Sequence, residues 1–68
     1  MPNVLIMLNR EIRRVEQLVS RLGEQRRLEA FRALEFAHRA MLANSYTEMR
    51  ESLDELGEFH DSKPVANA

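Results

Sequence analysis

The sequence predicts an all-α protein: an antiparallel helical hairpin of two or three helices, assembled as a homodimeric helical bundle. Three observations carry that expectation. Glycine and proline stand only at Pro2, Gly23, Gly57 and Pro64, leaving two long intervals dominated by Leu, Ala, Glu, Arg, Gln and Met, which enter a helix at little cost. Apolar residues recur at intervals of three and four, the period of a helix face. The third observation concerns size. The chain has 68 residues, 44% of them apolar, and seven of those are alanines that bury little area. Ordering such a chain costs on the order of 100 kcal/mol, so a lone core of this size sits near break-even. With no cysteine there is no disulfide and no thiolate metal site, so a second copy or another protein is the expected source of further stability.

The first helix is expected over about residues 4–22. Leu5, Leu8, Ile12, Val15, Val19 and Leu22 follow a 3-4-3-4-3 spacing and form one seam, which is read as the dimer interface. At its start, Val4 to Leu8 are five consecutive apolar residues. On a helix these cover every side, more than one hairpin can bury, so this end is expected at an interface or in a partner's groove. The same run is too short to span a membrane and has no basic segment before it, and a cytoplasmic location is expected.

After Gly23 the phase shifts, and a new apolar face opens with Leu28, Phe31, Leu34, Met41 and Leu42 on a helix over about 25–43. A bend at Gly23 is the preferred account, with one continuous helix as the alternative. Ala30, Ala33, Ala37 and Ala40 repeat at helical spacing. They serve either close approach of another helix or helix propensity alone.

Ser45-Tyr46-Thr47-Glu48 reads as a capping box that starts a third helix over about 46–59, with Asn44 ending the one before. Its seam is Tyr46, Met49, Leu53 and Leu56, with Phe59 as an extra contact and Gly57 as a helix end. Residues 1–60 are expected to make one domain and 61–68 a flexible tail. Residues 1–43 carry a net charge of +3 and residues 44–68 a net charge of −4, so folding the acidic part back on the basic part is favourable.

Candidate binding residues follow from what the seams leave outside. Arg10, Arg14, Gln17 and Arg21 form a stripe away from the first seam, and Arg10 is the one without an acid a turn away. Arg10, Arg14, Arg21 and Phe36 are the expected partner-binding residues; for Phe36 a core position is the equal alternative. His38 and His60 show no metal-ligand spacing, and no serine has a base with an orienting acid near it in sequence. The chain is therefore expected to be no enzyme and to need no cofactor or metal. Its expected role is a protein–protein module that occupies another protein's surface.

By size, all-helical pattern, lack of a catalytic constellation and arginine bias, the chain resembles very small phage-encoded helical inhibitors of host regulators, such as anti-activators of quorum-sensing transcription factors. That resemblance covers the whole length without a shared motif, so it transfers no site residues. It implies a dimer that binds a bacterial regulator and interrupts its DNA binding. In length and helix arrangement the chain also resembles the Rop-type RNA-binding four-helix bundles, which implies as an alternative a dimeric nucleic-acid binder using the arginine stripe.

Overall fold

The computed structural model describes residues 3–60, and every regular element in that span is helical: α1 (Val4–Leu18), a 3-10 turn (Val19–Arg21), α2 (Glu24–Leu42) and α3 (Tyr46–Leu56). The expected tail at 61–68 lies outside the described residues. α2 runs back along α1, and α3 runs back along α2, so α1 and α3 are parallel. All three helices touch, and α3 packs on both others.

α1 starts at Asn3, whose side chain accepts the Leu5 N–H at 2.8 Å and so satisfies one of the donors left open at a helix start. Its buried face is Leu8, Ile12, Val15 and Leu18. Leu18 replaces Val19 because the backbone tightens into a 3-10 turn there, which advances the phase and leaves Val19 half-buried while Leu22 stays in the core. The expected dimer seam is corrected accordingly. Leu8, Ile12, Val15 and Leu22 are at most 4% exposed within a single chain, covered by its own α2 and α3, and only Leu5 is open. A third helix supplies the cover that the sequence reading assigned to a second copy.

The chain bends at Gly23, which is extended (φ −64°, ψ 164°) after an extended Leu22 and caps α2 without a side-chain bond. Arg27 secures the bend from the first turn of α2: Nε donates to the Val19 carbonyl at 3.3 Å and Nη2 to the Leu22 carbonyl at 3.2 Å.

On α2 the expected apolar face is also corrected. Leu28, Phe31 and Leu42 are exposed, and the core face is Ala30, Ala33, Leu34, Ala37 and Ala40. Close approach is the use made of the alanines. Side chains ending at Cβ let the α2 backbone lie near its neighbours, and bulkier residues at those positions would hold the helices apart.

The α2–α3 connection joins two caps. Asn44 takes the left-handed conformation (φ 52°) just past the helix end, a conformation Asn tolerates better than most residues. The Ser45 N–H then bonds the Ala40 carbonyl and the Asn44 N–H bonds the Met41 carbonyl, each at 3.1 Å, which is a Schellman motif. Ser45 also starts α3, its hydroxyl accepting the Glu48 N–H at 3.3 Å. Only that arm of the expected capping box forms as drawn, because the Ser45 N–H is already bonded to Ala40.

α3 is shorter than expected and ends at Leu56, followed by a turn through Gly57 that brings Phe59 back into the core at 4% exposure. Its buried residues are Met49, Ser52 and Leu56; Leu53 is half-buried, and Tyr46, expected in the seam, is exposed. Ser52 is fully buried and its hydroxyl has no hydrogen-bond partner among the described residues. Burying an unbonded hydroxyl costs about 1–3 kcal/mol, and Ala is the better helix former. Ser52→Ala is therefore expected to stabilise the protein by about 1 kcal/mol, which raises Tm by roughly 4–8 °C in a domain of this size. A fall in Tm on thermal unfolding followed by circular dichroism would show that the hydroxyl is bonded.

Candidate functional site

α3 stands between two clefts. The one toward α1 is floored by Val4, Met7, Tyr46 and Leu53 and rimmed by Arg10, Glu11, Arg50 and Asp54. The one toward α2 has Ala33, Phe36 and Phe59 at its base and Arg26, Glu29, Arg32, Glu51, Asp54, Glu55 and Glu58 around it. Their electrostatics differ: the rim of the first balances two arginines against two acids, whereas the second has five acids against two arginines.

Beside the α1–α3 cleft the start of α1 exposes apolar side chains. Of the five-residue run that opens α1, Leu8 is fully buried and Val4 half-buried, while Leu5, Ile6 and Met7 are 41%, 55% and 40% exposed. A helix presents a new side every 100°, so no single packing arrangement hides five successive residues. Because α1 and α2 are antiparallel, this start lies at the same end as the α2–α3 turn, where Leu42 and Tyr46 are exposed too. Tyr46 joins the two parts, since it belongs to the exposed group and also floors the cleft.

The four expected binding residues do not form one site, although Arg14 and Arg21 border the same depression. Arg10 is exposed on the rim of the α1–α3 cleft and has no ion pair among the described residues. Phe36 is half-buried in the other cleft. Arg21 sits at the far end of the bundle, beside a depression shared with Arg14, Gln17, Leu18 and His60. Arg14 is turned to the molecule's own use. Its Nη1 donates to the Phe59 carbonyl at 2.8 Å and its Nη2 to the Leu56 carbonyl at 2.9 Å, while Glu11 accepts from Nε and Nη2. The guanidinium therefore caps the end of α3, where carbonyls with acceptor capacity to spare and the negative end of the helix dipole favour a cation. Arg14 is removed from the expected partner-binding set.

Arg26 acts near the same place: it lies 4.3 Å from the Phe59 ring centroid, donates to the Glu58 carbonyl at 3.2 Å and pairs with Glu29. Sequence reasoning missed both roles, because a backbone carbonyl 32 to 45 residues away leaves no mark in the spacing of side chains.

Among the described residues no group of three or more His, Asp or Glu is placed to hold a metal ion, and His38 and His60 are exposed. No helix among them is long and apolar enough to cross a membrane. What the geometry offers is a surface with aliphatic and aromatic groups at its centre and charges at its edge, the composition found at protein interfaces. Compared with protein-family models, characterised proteins and solved structures, the chain matches none.

Proposed function

We propose that this chain is a non-enzymatic protein-binding module that inhibits or modulates another protein by covering part of its surface. The observation that carries this reading is the joint exposure of Leu5, Ile6, Met7 and Tyr46 beside the α1–α3 cleft, with Arg10 at its rim. Aromatic and aliphatic anchors surrounded by a polar rim supply most of the energy in protein recognition, and an arginine on that rim fixes register against a carboxylate. A bacterial transcriptional regulator met by a phage protein is the partner class that the resemblance in size and helical pattern suggests.

The nucleic-acid alternative has less to rest on. Arg14 is engaged with the chain's own carbonyls, and α3 adds a row of acids to the surface. Affinity capture from a bacterial lysate tests the proposal, using the unaltered chain, Met7→Glu and Arg10→Ala in parallel. Proteins held by the unaltered chain are expected to fall at least tenfold with Met7→Glu and by a smaller factor with Arg10→Ala, about the loss expected for one anchor. Equal capture by all three would overturn it. Captured nucleic acid whose retention drops steeply with salt would favour the alternative.

A further inference from the structure

We propose that a second copy of this chain docks the outward face of its α1 along the α2–α3 cleft. This goes beyond the reading above and does not depend on it. The cleft has an apolar base at half-buried Phe36, and on its α3 side Glu51, Glu55 and Glu58 have no ion pair among the described residues. Its occupant must bring cations on a helical ridge. The chain carries such a ridge, because Arg10, Arg13 and Gln17 point away from the core on α1 and are all exposed, and neither arginine has an ion pair among the described residues.

Spacing and charge agree. The α1 residues are separated by three and then four positions, and the acids by four and then three. With α1 of one copy antiparallel to α3 of the other, Gln17 meets Glu51 and Arg13 meets Glu55 at matching rises of 1.5 Å per residue, while Arg10 lies toward Glu58 in the turn that follows α3.

The ridge lies on α1 and the cleft between α2 and α3, so each copy offers two different surfaces. Such pairing is heterologous: it continues from copy to copy or closes into a ring, and it differs from a symmetric dimer in a way that can be measured.

Sedimentation of three proteins tests it: the unaltered chain, Arg13→Glu/Gln17→Glu, which has lost its ridge, and Glu51→Lys/Glu55→Lys, which has lost its cleft. All four positions are exposed, and circular dichroism checks that each variant is folded. In about 0.01 M salt the average mass of the unaltered chain is expected to rise with concentration above its 8.0 kDa, and to return to that value in about 1 M salt. Each variant alone is expected to stay at 8.0 kDa, while their equimolar mixture, with one good ridge and one good cleft, stops at about twice that mass. An unaltered chain that keeps its mass at low salt overturns the proposal. So does either variant that associates alone, or a mixture that does not pair, and none of these results bears on capture through Met7.

Discussion

Leu56→Ala is expected to remove about 2–5 kcal/mol of stability, the range for truncating a buried leucine in a core that cannot collapse around the gap. Leu56 is fully buried near the end of α3, and its carbonyl is one of the two that Arg14 holds. The loss is large against the whole, since roughly 0.05–0.15 kcal/mol per residue gives a chain of this length only about 3–10 kcal/mol. Urea unfolding followed by circular dichroism should show a midpoint displaced toward zero denaturant or a protein already unfolded in buffer. A shift worth less than about 1 kcal/mol would mean that Leu56 is not in the core.

Ala37→Leu is expected to cost about 1–3 kcal/mol or more, although leucine is more hydrophobic and nearly as good a helix former. Ala37 is fully buried on the face that α2 turns to its neighbours, so three more carbons must displace what packs there. Phe31→Ala is the matched control. Phe31 is 52% exposed on the outer side of the same helix, so its removal should change stability by no more than about 0.5 kcal/mol. The reverse outcome, a tolerated leucine at 37 and a damaging alanine at 31, would show that α2 is rotated to present its large residues inward. That is the orientation its leucines and phenylalanine suggest from sequence alone.

That contrast also marks what the sequence made legible. The all-helical class and the turn at Asn44-Ser45 were readable because breakers are few and the turn residues specific, a left-handed position followed by an N-cap. Spacing alone left open whether Gly23 divides the first interval, and the extended Leu22 and Gly23 decide for the bend. The seam of α1 was readable because its residues are large and evenly spaced. The inward face of α2 was not, because hydrophobicity ranks Leu and Phe above Ala, while packing at short helix separation ranks them the other way. The seam's partner was misassigned for a related reason. Apolar spacing identifies a face that will be covered, and the cover came from α3 of the same chain.

The candidate site divides in the same manner. Exposure at the start of α1 followed from helix geometry applied to five apolar residues in a row, and the structure leaves Leu5, Ile6 and Met7 open. Arg10 was singled out by the lack of an acid within one turn, and it has no ion pair among the described residues. Arg14 was misread because the sequence shows the charge of a side chain and its near neighbours, but not the backbone oxygens that the fold brings to it.

Arg14, Arg26 and Arg27 each end on main-chain oxygens at the pole where α1 and α3 both stop: the Leu56 and Phe59 carbonyls, the Glu58 carbonyl, and the Val19 and Leu22 carbonyls. Together they fasten that pole much as a disulfide or a zinc ion does in other minute proteins, but the fastening calls for neither an oxidant nor a metal supply. It also makes nominal charge a poor guide to what may be exchanged. A lysine in place of Arg14 would keep the formal sum unchanged yet bring one ammonium where a flat fork now spans two oxygens and a carboxylate.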